Sequence, residues 1–195
     1  MNKIGIIYFF FSITLFSLAG CGSSTVKENL SVATDFKQID IGDQYQLKVP
    51  KYMTRTTSLN SEASFQSSNV LKTTYCIVID ESIEDFIKSF RLLEQYKEDK
   101  SVLDNYAEVQ LGFIDEDIDI ISQTEVQITS INGSNARMLS LDGSSDDLPY
   151  DITYFITFIE GDENIYMMMN WTLTSKKFQL SDTFNKIALS FQALK

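Results

Sequence analysis

The chain has 195 residues, with 16 Lys and Arg against 27 Asp and Glu, a net charge of −11, and not one histidine. The length fits a single domain with one core, and the charge excludes nucleic acid and anionic head groups as natural partners unless basic residues are gathered locally, which no run of the sequence does. Lacking histidine, the chain has neither the commonest general base nor the usual zinc ligand.

The N-terminus reads as an address. Lys3 precedes an apolar run from Ile4 to Phe16, and Leu18-Ala19-Gly20-Cys21 follows. The run is shorter than the roughly twenty residues that a membrane-crossing helix needs. Small residues before the cysteine suit a peptidase that takes the chain in extended form. This order resembles a bacterial lipoprotein signal, whose lipobox ends in the cysteine that becomes the mature N-terminus. The resemblance implies loss of residues 1–20, a diacylglyceryl thioether on the Cys21 sulfur and, commonly, a fatty amide such as palmitate on the new amino group. At about 0.8 kcal/mol per buried CH₂, two or three acyl chains make the membrane attachment nearly permanent. An ordinary secretory signal with an incidental cysteine is the alternative. Residues 21–34, with Ser23, Ser24, Thr25, Lys27, Glu28 and Asn29, hold little to bury and read as a flexible tether, leaving 35–195 as the domain. Only Glu28 stands where some lipoproteins carry acidic residues for surface export, so the expected place is the outer membrane, facing the periplasm.

From Phe36 the pattern becomes structural. Phe36, Ile39 and Ile41 lead to Gly42-Asp43, and Tyr45, Leu47 and Val49 alternate with polar residues up to Pro50, which predicts a hairpin. Strands are predicted over 63–69 and 74–80, the second continuously apolar and therefore central. Ser82 with Asp85 looks like a helix N-cap, followed by Ile83, Phe86, Ile87, Phe90, Leu93 and Tyr96 on one stripe. A weaker helix is predicted over 102–113. Residues 121–131 alternate as one strand, Asn132-Gly133 predicts a type I′ turn into 136–141, and 142–147 reads as a polar loop. Strands over 150–159 and 165–174 flank Glu160-Gly161-Asp162-Glu163-Asn164 and carry apolar groups on both faces, so they need cover on two sides. Phe178, Phe184, Ile187, Ala188 and Phe191 describe a closing helix.

Together these elements predict an α+β fold, a three-layer α/β/α sandwich around a mostly antiparallel, meandering sheet. A leading hairpin with Tyr45-Gln46-Leu47-Lys48-Val49-Pro50, a long helix after Ile77-Val78-Ile79-Asp80, a four-strand meander and a final helix closing on Ser190-Phe191 resemble the Mog1/PsbP-like domain. The resemblance covers most of 36–194 and lies in element order. It implies an accessory or adaptor module, since members serve in photosystem assembly or as partners of small GTPases. No motif of those families matches residue by residue, so none of their functional residues is carried over.

Candidate chemical features are few. Cys76, alone once Cys21 is lipidated, reads as a small buried hydrophobe without a histidine to activate it. Asp115, Asp117 and Asp119 have the spacing that opens a calcium loop, yet Ile120 stands at the turn glycine and Val126 at the closing glutamate. Asp142, Asp146 and Asp147 surround Gly143-Ser144-Ser145, as in any exposed turn. In Met167-Met168-Met169 the strand period sends Met167 and Met169 to one face with Trp171, and Met168 to the other with Tyr166 and Asn170, which favours core filler over a copper(I) site. Asn132-Gly133-Ser134 and Asn170-Trp171-Thr172 are sequons in form only. No catalytic, cofactor-binding or metal-binding residue is assigned. Lipidation at Cys21 is the one assigned modification. The expected function is a lipid-anchored, non-catalytic envelope module with an unidentified protein partner. The alternatives are a hydrolase using paired carboxylates and a carrier of a small apolar ligand, held in a cavity lined by residues such as Phe155, Met167 or Trp171.

Overall fold

A computed structural model describes residues 35–145 and 148–194; the leader, Cys21 and the tether lie outside the described residues, as do Asp146 and Asp147. The leading hairpin forms as expected, from Phe36–Ile41 (β1) and Tyr45–Pro50 (β2), with Ile41 opposite Tyr45. Its turn passes through Gly42 at φ +50°, a conformation that favours glycine. Next come Thr54–Arg55 (β3), Phe65–Asn69 (β4) and Thr74–Ser82 (β5). Ser82 then caps Ile83–Leu92 (α1), its hydroxyl accepting the Asp85 N–H at 3.3 Å. Ser101 caps Val102–Asp117 (α2) in the same way at 3.1 Å, and that helix runs four residues beyond its predicted end.

The second half holds Asp119–Gln123 (β6), Gln127–Ile131 (β7), Ser134–Ser144 (β8), Ile152–Glu160 (β9), Asn164–Leu173 (β10), a 3₁₀ turn over Thr174–Lys176, Lys177–Leu189 (α3) and Gln192–Ala193 (β11). Asn132 and Gly133 join β7 to β8 with φ of +49° and +93°, both positive as a type I′ turn requires. The single strand expected over 121–131 is two strands. Both pair with β8, and the chain leaves the ladder between Gln123 and Gln127. Asp142 belongs to β8, not to a loop.

The strands make an eight-stranded antiparallel sheet in the order β3-β4-β5-β10-β9-β8-β6, with β7 also on β8, and a separate three-stranded sheet β1-β2-β11. The main sheet buries both faces. On one, Ile77, Ile156, Phe158, Ile165, Met167 and Met169 pack under α1 and α2 with Phe86, Leu103 and Tyr106. On the other, Cys76, Val78, Ile159, Tyr166 and Met168 pack under α3 and the small sheet with Tyr45, Leu47, Phe184, Ile187 and Phe191. Helices thus cover both faces of an antiparallel sheet, and the period-2 assignment of the three methionines holds. Phe178 departs from its predicted stripe: it is 90% exposed, and Leu180 is the buried residue of that turn.

The end of α1 carries a testable strain. Glu94 sits at φ +58°, and the Gln95 N–H donates to the Phe90 carbonyl and the Glu94 N–H to that of Arg91. This is the two-bond helix stop in which glycine is preferred. It also ends α1 before Leu93 and Tyr96 can continue the stripe. Glu94→Gly is expected to raise stability by about 1 kcal/mol, measured by urea denaturation.

Candidate functional site

A sheet buried on both faces needs apolar side chains at its centre. Where it does not have them, another requirement is acting. Under α3 the register aligns Ser67, Cys76, Asn170, Phe155 and Ser140 across β4, β5, β10, β9 and β8. A second row toward the end of the sheet sets Thr172 opposite Thr153 and Thr153 opposite Asp142. The α3 face of this sheet therefore carries a polar tract inside an otherwise apolar layer.

Asn170 lies at its centre. Its exposure is 0%, and neither its Nδ2 nor its Oδ1 has a hydrogen-bond partner. The buried Ser67 hydroxyl is likewise unpaired. An unsatisfied buried polar atom costs about 1–3 kcal/mol, so a doubly orphaned amide on a central strand calls for an account. Nearby lies a cleft of about 180 Å³ between the sheet and α3, walled by Met138, Phe155, Phe184 and Ala188; Asn170 and Thr157 are among its lining residues, but neither amide atom of Asn170 is exposed to it. Thr124, Gln127 and Asn185 also line it; all three are exposed and form its rim. The interruption between β6 and β7 thus has a consequence. Thr124 is held by β8, its N–H donating to the Ser140 carbonyl at 2.9 Å and its Oγ1 accepting the Ser140 N–H at 3.0 Å, while the chain around it leaves room for a mouth.

The tract ends at an ion pair. Lys177 Nζ lies 3.0 and 2.9 Å from the two oxygens of Asp142, to which Thr153 and Ser122 also donate, at 2.6 and 3.0 Å. Burial alone would raise the Asp142 carboxyl; the hydrogen bonds from Thr153, Lys177 and Ser122 outweigh it and hold the group below its usual range. Its acceptor positions are engaged inward. Asp115, Asp117 and Asp119 stand exposed at the α2-to-β6 junction, and among the described residues no three acids gather as metal ligands. Cys76 is fully buried, and burial pushes its thiol up, away from nucleophilic character. Met167 and Trp171 face α1 and α2 and so lie away from the cavity, whereas Phe155 does line it.

One carboxyl titrates anomalously on the opposite face. Burial, with Asp85 nearby, pushes Glu81 up to about 7. Between about pH 4.5 and 7 the unfolded chain gives up this proton while the folded one keeps it, so the group lowers stability as pH rises through that window. Glu81→Gln is expected to stabilise by about 1–2 kcal/mol at pH 8, allowing for partial exposure, and to change nothing at pH 4. Denaturation midpoints at the two pH values check it.

Sequence reasoning placed Asn170 on the correct face and gave it no role. The available signal was a residue of low strand propensity in the middle of an apolar central strand. Its burial also closes the Asn170-Trp171-Thr172 sequon to glycan in the folded protein.

No family model and no curated protein matches the sequence. Among solved structures, the chain is similar to cyanobacterial PsbP (CyanoP) from Synechocystis sp. PCC 6803, with a TM-score of 0.52 and 13% identity over 90% of this chain and 98% of that one. It is also similar to LpqN, described as involved in cell envelope biogenesis of Mycobacterium tuberculosis, with a TM-score of 0.54 and 11% identity over 82% and 92%. The Ran-binding protein Mog1p of Saccharomyces cerevisiae aligns with a TM-score of 0.45 and 8% identity over 81% and 95%. At such identities the likeness is one of architecture alone, an α/β/α sandwich of the kind seen in cyanobacterial PsbP and LpqN.

Proposed function

We propose that the protein is a lipid-anchored, non-catalytic module of the cell envelope, fastened by acyl chains on Cys21 and acting as a binding or assembly accessory at the outer membrane, on its periplasmic side. The observation that carries this reading is Leu18-Ala19-Gly20-Cys21 after a short apolar run, ahead of a domain in which no described helix is long and apolar enough to cross a membrane. A fold shared with an envelope-biogenesis protein fits it.

The hydrolase alternative finds no support in the cavity, whose lining residues are all uncharged. The carrier alternative is favoured by one observation, a cleft of about 180 Å³ between the sheet and α3 lined only by uncharged residues. Fractionation of host cells tests the anchor. Wild-type protein is expected in the membrane pellet, released by detergent and not by salt, and Cys21→Ser in the soluble fraction. A Cys21→Ser protein that still sediments and resists salt contradicts the reading. Affinity capture from detergent-solubilised membranes is expected to recover a specific partner; repeated recovery of the bait alone contradicts the adaptor role.

A further inference from the structure

We propose that the end of the sandwich where β4 turns into β5 and β10 leads into α3 is a membrane-facing surface, whose exposed apolar side chains seat in the head-group boundary of an uncharged lipid bilayer. The inference rests on the lipid-anchored reading and deepens it, by naming the face that the anchor brings down. It starts from four exposed apolar residues. Val70 and Leu71 lie on the turn after β4, Tyr150 just before β9, and Phe178 in the first turn of α3, with exposures of 61%, 86%, 47% and 90%. They are far apart in sequence, and the register puts their connections at one end of the main sheet: Asn69 is opposite Thr74, Tyr75 opposite Trp171, and Leu173 opposite Ile152. Hydrogen bonds tie the three connections together. Thr73 Oγ1 lies 3.3 Å from Thr172 Oγ1, and the Thr174 N–H donates to the Asp151 carbonyl at 2.9 Å. Exposed apolar groups scattered singly need no explanation, whereas groups gathered from separate connections mark a surface that meets something apolar.

The turn that carries two of these residues is built to hold them outward. The Thr73 N–H donates to the Val70 carbonyl at 3.1 Å and the Lys72 N–H to Asn69 Oδ1 at 2.9 Å, with Thr73 at φ +53°, a strained conformation for a β-branched residue. What covers this end follows from where the anchor joins it. Residues 22–34 separate Cys21 from Asp35, at most about 50 Å of chain. The Asp35 carbonyl accepts the Lys51 N–H at 3.0 Å, and the neighbouring Tyr52 carbonyl accepts Asn69 Nδ2 at 2.9 Å. The chain from the anchor thus joins the domain beside the residue that opens the Val70-Leu71 turn, and acyl chains on Cys21 pull on the end that carries the apolar groups. Tyr52, Tyr75 and Trp171 stand half-buried at the same end, the last two stacked at 5.2 Å, and such rings, apolar in body and polar at one edge, suit the boundary between lipid and water. Charge selects the lipid. Asp35 is paired with Lys51, Asp142 with Lys177, and Asp151 is exposed, so the contact is apolar in origin and favours uncharged head groups over anionic ones.

The test uses the mature acylated chain in vesicles of phosphatidylcholine and phosphatidylethanolamine, with a nitroxide label on a cysteine introduced at one exposed site. Cys76 is fully buried and Cys21 carries lipid, so neither takes the label. Val70→Cys reports the proposed surface. Ile128→Cys, on β7 at the opposite end of the sheet and 78% exposed, is the control. The expected result is that the label at position 70 meets oxygen dissolved in the bilayer and collides with an aqueous nickel chelate about tenfold less than the label at position 128, a factor within reach of burying one large apolar side chain. The difference is expected to persist at high salt. Adding Leu71→Ser and Phe178→Ser is expected to abolish it while intact mass shows the acyl chains still in place. Equal accessibility of the two labels on an acylated chain overturns the proposal and leaves the anchor standing, and so does a difference that survives those two substitutions. A chain without acyl groups overturns both readings. A label at position 70 that stays in water in the vesicles and is shielded only in membranes of the host means that a protein covers this end, and this too overturns the proposal.

Discussion

Lys177→Met is expected to lower stability by about 3 kcal/mol, because it strips Asp142 of its counter-charge and leaves the carboxylate in place. The side chains of Asp142 and Lys177 are only 15% and 24% exposed, so solvent screens the pair little. Thr153 and Ser122 donate to the same carboxylate and cannot replace a full charge. Asp142 lies below its usual pKa, so its stabilising contribution is present above the unfolded value of about 3.9 and is lost as pH falls through the folded value. The penalty of Lys177→Met is accordingly expected near neutrality and should shrink in acid below about pH 4. The double variant Asp142→Leu, Lys177→Met should recover most of the loss, since two apolar groups remove the stranded charge. Denaturant titrations of the four proteins at pH 7 measure the cycle. An additive cycle would mean that the pair is not coupled in the folded chain.

Asn170→Leu is expected to do the opposite and raise the stability of the unliganded protein by about 2 kcal/mol. Two buried atoms without partners disappear, and leucine has the same number of side-chain heavy atoms in the same branching, so little overpacking results. The sign is informative. A buried asparagine that served the fold through satisfied hydrogen bonds would cost stability when replaced by leucine, whereas one left unpaired gains. Thermal melts of both proteins without ligand decide between these. A lower midpoint for Asn170→Leu would mean that the amide is hydrogen-bonded in the folded chain.

The parts of the fold that were legible are those written in local patterns. α1 follows from a hydroxyl at Ser82 and apolar residues at helical spacing. The turn at Asn132-Gly133 follows from the demand for positive φ at two successive positions. β9 and β10 announced burial on both faces because both parities are apolar. What escaped depends on pairing between distant segments. Phe178 has the right spacing for the α3 stripe, but it lies in the first turn of the helix, where that face is exposed and Leu180 is the residue that reaches the core. The division of 121–131 into two strands comes from an extra residue between Gln123, opposite Leu141, and Gln127, opposite Met138, which alternation alone does not encode. The same holds for the candidate site. Asn170, Thr157 and Phe184 come from β10, β9 and α3, and only the register reveals that they come together beneath α3.

The central claim is a covalent one, that this acidic domain is held at the envelope by lipid on a single sulfur. Intact-mass spectrometry of the protein purified from the membranes of its own host tests it directly. The account predicts a chain beginning at Cys21 and heavier than its residues by a diacylglyceryl group, commonly with an added fatty amide. A chain with residues 1–20 still attached, or one whose Cys21 carries a free thiol, contradicts it.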